Sequence, residues 1–241
     1  MHKYLDPVRI MIGVGRRAEA LRARRAKDKR FAKAKARLRR ANFPLKVNVG
    51  CGNEPFPGWI NLDLDPATRA DIQWDVTDGL PFPDESCAFM YSEHFLEHIP
   101  VQQGVRFLTE CRRSLQQGGV VRIGMPCVHD VVRQYYENIW AKQPWLEKYG
   151  YSWIKTRAEY INIGFRDWGH QWLYDFEELD RRLREAGFSH IETVPWGESK
   201  YPELTKRETR AETLLICEAT KWSDAGSRQL GFADFDLENI L

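Results

Sequence analysis

The sequence predicts an α/β fold in which a mostly parallel sheet is covered by helices on both faces. Along residues 43–221, short apolar runs alternate with helical or loop segments, the order expected of parallel strands joined by crossovers. The runs are apolar rather than alternating, which is typical of strands buried on both sides. The chain has 241 residues, 43% of them hydrophobic, so one such domain with additions can bury a core.

Seven strands and three helices are predicted in this domain. The strands are placed at 45–49, 59–63, 72–74, 87–91, 120–123, 188–194 and 213–217. The helices are placed at 93–98, 101–115 and 175–186. Gly118 and Gly119 are expected to stop the second helix, and Gly187 closes the third, because glycine is common just past a helix end.

The turn after the first strand carries the strongest functional signal. Gly50 and Gly52 flank Cys51, and glycine lets a ligand approach the main chain without a Cβ in the way. Asp63 ends the second strand, where a carboxylate can accept hydrogen bonds from a ribose diol. A dinucleotide site needs a third glycine and an acid about 20 residues on, which this spacing does not provide. The stretch therefore predicts a site for a different adenosine-containing cofactor.

This stretch resembles the first motif of the class I S-adenosylmethionine-dependent methyltransferases. Further segments at 75–84, 89–98 and 112–119 are similar to later motifs of that family, so the resemblance spans about residues 45–126 in the family's order. The chain departs from the family in two ways. The first crossover helix is lost or reduced to a loop, and Ala88 stands where many relatives carry aspartate.

The resemblance implies a Rossmann-like fold with a seven-stranded, mostly parallel sheet whose last strand is antiparallel. It also implies S-adenosylmethionine as cofactor and S-adenosylhomocysteine as product. The acid after the third strand, Asp75, is similar to the one that reaches the adenine amino group. The expected cofactor-binding residues are Asn48, Gly50, Cys51, Gly52, Asp63, Leu64, Asp75, Val76, Ser92 and Glu93.

Residues 127–174 interrupt the alternation and are predicted to be a helical insertion on the acceptor side. The segment is dense in tryptophan and tyrosine. Such residues can form a small satellite core, because aromatic side chains bury large areas. They can also form a lid at the carboxyl ends of the strands, where open α/β sheets bind ligands, and flat rings suit sugars. Different residues of the insertion can serve each purpose.

Histidines are the candidate catalytic residues, since methyl transfer to a hydroxyl benefits from a base that works near neutral pH. His94 and His170 are the favoured candidates, and His129, which follows the fifth strand, is a further one. A structural, hydrogen-bonded histidine is the alternative at each position. His94 and His98 are four residues apart and also suggest a metal site, but no third ligand is evident, so no metal is predicted.

The two ends of the chain lie outside this domain. Residues 1–42 are predicted to be a basic helical arm: 16–40 carry a net charge of +11, whereas 41–241 carry −10. Three interpretations of the arm remain open. It is a solvated helix that partly docks on the acidic body, or it contacts an anionic membrane surface. The less favoured interpretation is that it binds nucleic acid. Residues 222–241 are predicted to form a tail, and its apolar side chains Phe232, Phe235 and Leu237 could dock it on the domain.

The predicted activity is methyl transfer from S-adenosylmethionine to an oxygen of a sugar, a glycan or another small polar acceptor. The short opening at 50–59 and the segment at 169–175 resemble bacterial methyltransferases associated with surface-polysaccharide synthesis. A nucleic-acid methyltransferase and a non-catalytic cofactor-binding module are the alternatives. The five scattered cysteines and the lack of a long apolar run favour a cytoplasmic protein, which the arm could hold at the inner membrane face.

Overall fold

The computed structural model describes residues 7–222, with side chains at 21, 22 and from 24 onward. The predicted docking residues Phe232, Phe235 and Leu237 lie outside the described part of the chain. Among residues 7–222, no helix combines the length and the apolarity that crossing a membrane requires.

The described chain folds around a seven-stranded sheet. Strands β1 to β4 span Leu45–Val49, Ile60–Asp63, Ile72–Gln73 and Cys87–Glu93, and β5 to β7 span Leu115–Met125, His190–Thr193 and Leu215–Thr220. Their order is β3-β2-β1-β4-β5-β7-β6. The first five pair in parallel, whereas β7 pairs antiparallel to both β5 and β6. The predicted Rossmann-like sheet with an antiparallel last strand is confirmed.

Six α-helices accompany the sheet in residues 7–222. They are α1 Pro7–Leu38, α2 Val101–Ser114, α3 Val128–Tyr136, α4 Trp145–Lys148, α5 Arg157–Arg166 and α6 Phe176–Glu185. Single 3₁₀ turns lie at Val76–Asp78, Leu96–His98, Trp140–Lys142 and Pro202–Leu204. Helices α3 to α5 belong to the 127–174 segment, hereafter the aromatic insertion.

Two predicted helix features are wrong. The segment 93–98 is not a helix: β4 continues to Glu93, and only a 3₁₀ turn at Leu96–His98 follows. Gly118 and Gly119 do not stop α2, which ends at Ser114 directly before β5. Gly118 instead lies inside β5 at a φ of +74°, where its N–H donates to the Lys221 carbonyl. This glycine lets the strand bend rather than ending a helix.

The connection from β1 to β2 is a loop without a helix in the described structure, as predicted from its prolines. Asn61 organises this loop: its Oδ1 accepts the Phe56 N–H at 2.7 Å, and its Nδ2 donates to the carbonyls of Phe56 and Trp59. Phe56 and Trp59 are buried against Tyr91. The loop is therefore short but fixed, and it holds the glycine turn at the end of β1.

The aromatic insertion leaves the sheet and returns to it at one place. Cys127, two residues past β5, forms a parallel bridge with Tyr174, and the Val128 N–H donates to the Tyr174 carbonyl at 2.9 Å. Its own small core is built on the buried side chains of Leu146, Ile154 and Tyr160. Because both ends are tied at the carboxyl end of β5, the insertion lies beside the edge where ligands bind in such sheets.

The basic arm is a helix whose last turns dock on the domain. Ala34 and Leu38 are buried in the main core, and the rings of Phe31 and Trp74 are 5.6 Å apart. Lys27 pairs with Asp78 at 2.8 Å. The arm is thus held at the β3 side of the sheet, as the docked-helix hypothesis expects for its carboxyl-terminal half.

Candidate active site

The glycine turn after β1 has the geometry that a close ligand requires. Gly50 and Gly52 have φ values of +69° and +50°, a region that disfavours residues with a Cβ. A Cβ on Gly50 would meet the Phe95 ring at 2.8 Å, so this glycine is also required by packing. A Cβ on Gly52 would instead point into open space, with no described atom within 4 Å. The main chain at Gly52 is therefore accessible to a ligand.

Asp63 joins this turn to the end of β2. Its Oδ2 accepts the Gly52 N–H at 2.8 Å, and its Oδ1 accepts the Asp65 N–H at 2.9 Å. Each carboxylate oxygen has a further lone pair, so Asp63 can still accept two hydroxyl hydrogens. Leu64, the next residue, is 56% exposed and offers an apolar surface beside the carboxylate. The pair fits a ribose and the adenine next to it.

The acid after β3 lies at the same edge of the sheet, because β2 and β3 are parallel neighbours. Asp75 caps the following 3₁₀ turn: its Oδ1 accepts the Thr77 N–H at 3.0 Å and the Thr77 hydroxyl at 2.6 Å. Val76 is buried beneath it. Asp75 thus caps the turn with one oxygen, and its Oδ2 accepts no hydrogen bond from residues 7–222.

A cleft of about 80 Å³ lies at the carboxyl ends of β1 and β4 and is hereafter the cofactor cleft. Six residues singled out by the sequence line it: Asn48, Gly50, Cys51, Gly52, Glu93 and His94. Asp63, Leu64, Asp75 and Val76 lie outside it, farther along the same edge of the sheet. A larger cleft of about 650 Å³ is lined by Arg40, Lys46 and Ile60 at the opposite, amino ends of the strands.

Three of the predicted cofactor residues differ in what their side chains can offer. The Asn48 amide donates to the Glu54 carbonyl and to Asn61, so it braces the loop. Burial raises the pKa of Cys51 to about 12, which keeps its thiol neutral. The Ser92 hydroxyl is buried with no hydrogen-bond partner in residues 7–222, but Ser92 does not line the cleft. The neighbouring Tyr91 does line it, and its equally unpaired hydroxyl indicates a place for a ligand atom or water.

Sequence reasoning missed the loop that closes one side of the cofactor cleft. Thr209 and Arg210 line the cleft, and both belong to the 195–213 loop between β6 and β7. Glu93 holds this loop by accepting from the Thr209 N–H at 3.0 Å, the Thr209 hydroxyl at 2.7 Å and the Thr213 hydroxyl at 2.6 Å. No motif marks these residues, so only the fold could reveal them. The Glu93 carboxylate is thus engaged by protein groups as well as facing the cleft.

His94 connects the cofactor cleft to a buried carboxylate. Its backbone has a φ of +49°, an unusual conformation for a non-glycine residue that often accompanies functional sites. The Nε2 atom lies 3.1 Å from the Thr213 hydroxyl, and the Nδ1 atom lies 3.4 Å from Glu97 Oε1. Glu97 has no exposed side-chain area. Both ring nitrogens of His94 are therefore held by named neighbours.

His98 and His170 meet on the other side of Glu97. The His98 Nε2 is 3.8 Å from Glu97 Oε1, and the two imidazole rings are 5.0 Å apart. Burial, opposed by the charge of Glu97, leaves the pKa of His98 below its usual value. The segment carrying His170 is tied down because the Gln171 N–H donates to the Glu97 carbonyl at 2.8 Å. Of the predicted catalytic histidines, His94 and His170 thus lie in one group, whereas His129 is exposed on α3 outside it.

Aromatic rings of the insertion lie next to His170. Trp168 stands 5.4 Å from the His170 ring and 5.5 Å from Trp145, which packs on the small core of the insertion. Tyr160 is 2% exposed and belongs to this small core, whereas Trp168 is 43% exposed. That the exposed rings form a lid over an acceptor stays a prediction. Other exposed aromatic side chains of the insertion are Tyr136, Tyr149, Trp153, Phe165 and Trp172.

Residues 47–123, about a third of the chain, match the family model described as a methyltransferase domain. The match covers the glycine turn, Asp63, Asp75 and the end of β4, which are the parts that form the cofactor cleft and its surroundings. It supports a methyltransferase that uses S-adenosylmethionine, and the open Gly52 backbone, the acid at β2 and the unpaired Tyr91 hydroxyl fit that cofactor. Among curated proteins, none matches the sequence significantly.

Solved structures with a similar fold include S-adenosylmethionine-dependent methyltransferases. One from Archaeoglobus fulgidus is 15% identical, with 84% of this chain and 94% of that chain covered and a TM-score of 0.48. One from Thermotoga maritima is 16% identical, with 79% and 89% covered and a TM-score of 0.46. Phosphoethanolamine N-methyltransferase 2 of Haemonchus contortus, in complex with S-adenosyl-L-methionine, is 12% identical, with 81% and 53% covered and a TM-score of 0.42. At these identities and TM-scores, the similarity concerns the fold alone.

Proposed function

We propose that the protein transfers a methyl group from S-adenosylmethionine to an oxygen of a sugar, a glycan or another small polar acceptor. One observation carries this proposal: a chain of side-chain contacts, through Glu97 and then through a series of rings, leads from the cofactor cleft to the exposed aromatic insertion. His94 lines the cleft and contacts Glu97, and beyond Glu97 the rings of His98, His170 and Trp168 follow one another at 5.0 and 5.4 Å. An acceptor on the aromatic surface would therefore face the cleft across imidazole groups.

For methyl transfer, the protein mainly has to position the acceptor and provide a group that accepts its proton. S-adenosylmethionine supplies an activated methyl group, so the chain must align an acceptor oxygen in line with it and exclude competing water. His94 is the imidazole that lines the cleft, and we assign to it the task of accepting the hydroxyl proton. Thr213 and Glu97 lie beside its two nitrogens, so the acceptor hydroxyl must displace one of these contacts before His94 can take its proton. His170 lies beyond His98 and outside the cleft, so we assign it no proton transfer.

The aromatic insertion supports a sugar-like acceptor more than an apolar one. Trp153, Trp168 and Trp172 are 41 to 53% exposed. The indole N–H of Trp172 donates to Glu178 at 3.2 Å. Flat rings with polar edges stack against the C–H faces of sugars while leaving hydroxyls free to hydrogen-bond.

The basic arm would bring such an enzyme to an anionic surface, as a lipid-linked glycan would require. Arg24 and Arg25 are exposed on α1, whereas Lys27, Arg30 and Arg37 are paired with Asp78 or Asp71 of the domain. The arm thus combines residues that pair with the domain and exposed arginines that do not, which supports peripheral contact with a membrane.

The test is to supply the purified protein and isotopically labelled S-adenosylmethionine with glycan, lipid, nucleic-acid and small-metabolite fractions of a bacterial cell. Label in the glycan or lipid-linked glycan fraction is expected. It should be lost in His94→Gln and retained in His190→Gln, a matched change at an exposed histidine of β6. Label in nucleic acid would replace this proposal with the nucleic-acid alternative. Cofactor binding without label in any fraction would favour the non-catalytic module.

A further inference from the structure

The buried carboxylate of Glu97 lacks the hydrogen-bond donors that such a group normally has in a protein. The side chain has no exposed area, and neither carboxylate oxygen has a hydrogen-bond partner in residues 7–222. Burying an unpaired carboxylate costs several kcal/mol on the scale of typical desolvation penalties, so such a group normally has a cation or several donors beside it. The groups that face it are imidazoles: His94 at 3.4 Å and His98 at 3.8 Å.

We propose that Glu97, His98 and His170 form a binding site for a divalent transition-metal ion of the zinc class. Each residue offers one ligand atom, and the three atoms lie within 4.8 Å of one another. Ligands bound at zinc distances of about 2.1 Å stand roughly 3.4 Å apart in a tetrahedron, so small side-chain rotations would bring all three onto one ion. A carboxylate with two imidazoles is a common donor set for such metals and leaves a coordination position open.

The surroundings already orient these ligands. His170 Nδ1 lies 2.8 Å from the Gly164 carbonyl, to which it can only donate, so its Nε2 keeps a lone pair for a metal. Second-sphere hydrogen bonds of this kind commonly fix metal-binding histidines. The two segments that carry the ligands are also tied together, since Gln171 donates its backbone N–H to the Glu97 carbonyl and its amide to the His98 carbonyl.

The location of this site gives a bound ion two consequences. It would fasten the aromatic insertion to the turn after β4, because Glu97 and His98 belong to that turn and His170 to the insertion. It would also lie beside His94, whose Nδ1 is 3.4 Å from Glu97, and the 31% exposed side chain of His98 would let a further ligand reach it. The site concerns this chain's own residues and does not depend on which acceptor the enzyme methylates.

Cobalt binding tests the proposal without an activity assay. Untagged protein is freed of metal with a chelator and titrated with Co²⁺, whose visible d–d absorption reports imidazole and carboxylate ligation. We expect about one Co²⁺ per chain, displaced by Zn²⁺. Loss of second-sphere partners already weakens metal sites about 10- to 100-fold, so His98→Ala and His170→Ala should each weaken binding by at least about 100-fold.

His190→Ala, an exposed histidine of β6, is the matched control and should bind Co²⁺ as the unchanged protein does. Far-ultraviolet circular dichroism checks that the variants are folded, and Glu97→Gln provides a conservative change if an alanine variant is not. The proposal is overturned if the unchanged protein takes up neither Co²⁺ nor Zn²⁺ at micromolar concentration. It is equally overturned if uptake persists in the folded His98→Ala and His170→Ala variants.

Discussion

Asp63 combines two functions in a single side chain. Its two oxygens fix the glycine turn through the Gly52 N–H and begin the next loop through the Asp65 N–H. Their remaining lone pairs are available to a ribose. The same carboxylate therefore shapes the site and would bind the cofactor, which explains why an acid is needed at this place rather than any polar residue.

Asp63→Ala is expected to weaken S-adenosylmethionine binding by at least about tenfold, because a hydrogen bond to a charged group contributes roughly 1.5–3 kcal/mol. Isothermal titration calorimetry measures the change. Asp65→Ala is the control, since Asp65 is exposed and accepts only from the Ala67 N–H and so should leave the affinity within a factor of two or so. Equal affinities for the two variants would mean that Asp63 does not contact the cofactor.

The cysteines give a second prediction at the residue scale. All five are buried thiols, and burial raises the pKa of Cys51 and of Cys87 to about 12. The reactive thiolate is then on the order of one molecule in ten thousand at pH 8. Ellman's reagent should find no rapidly reacting thiol in the native protein and five after unfolding in guanidinium. One thiol that reacts within the mixing time would show that Cys51 is open to solvent at the cleft.

At the scale of an element, β5 carries a buried charge that ties it to the 195–213 loop. Arg122 has no exposed side-chain area, and it donates to Glu208 and to Glu218 at 2.6 Å each. A third bond, at 2.8 Å, goes to the Glu198 carbonyl. Glu208 in turn accepts the Gly197 N–H at 3.0 Å. The loop that lines the cofactor cleft is therefore held at one end by Arg122 and at the other by Glu93.

Arg122→Met should destabilise the protein by about 3–5 kcal/mol, because it leaves two buried carboxylates without their partner. Urea unfolding followed by circular dichroism measures this loss. Arg133→Met, which breaks exposed ion pairs on α3, is the matched control and should hardly move the unfolding midpoint. Adding Glu208→Gln and Glu218→Gln to Arg122→Met should restore part of the stability. A midpoint that Arg122→Met leaves unchanged would contradict a structural role for the network.

The elements that could be predicted are those encoded by local pattern. The bounds of β1 match the predicted run because Leu45, Val47 and Val49 are buried apolar residues and Gly50 follows at once. The β6–β7 hairpin followed from resemblance, and the helical, aromatic insertion from its composition. The arm is helical as its alanine content indicates, and in the described residues its helix α1 runs from Pro7 to Leu38. In each case the signal lies in the segment itself.

The grouping of the site depended on tertiary contacts and could be predicted only in part. On a regular helix, His94 and His98 would share one face, four residues apart. The left-handed backbone at His94 breaks that relation, so His94 turns to Thr213 and His98 turns to His170. The third candidate ligand was not evident in the sequence because Gln171 brings His170 to this turn from 72 residues downstream of His98. For the same reason nothing in the sequence pointed to Arg122.

For the whole molecule, the separation of charge is the dominant feature. The net charge of +2 is the sum of a strongly basic segment and an acidic remainder. The docked half of α1 neutralises part of this through Asp71 and Asp78, next to β3. Farther toward its amino end, Arg22, Arg24 and Arg25 of α1 are exposed. The protein is therefore electrically polar along its length, and an anionic surface would orient it as well as bind it.

Binding to lipid vesicles tests whether this separation of charge directs the protein to an anionic surface. We expect the protein to sediment with phosphatidylserine-containing vesicles at low salt, to bind much less to neutral phosphatidylcholine vesicles, and to be released as the salt screens the charges. Arg24→Gln with Arg25→Gln removes two exposed charges of α1, each contributing about 1 kcal/mol near such a surface, and should weaken binding roughly 30-fold. Lys142→Gln with Arg166→Gln removes the same charge from the aromatic insertion and should have little effect, because these residues lie far along the chain from the arm and outside its basic cluster. Equal losses in both pairs would mean that net charge alone governs the attraction, and α1 would then have no special part in it.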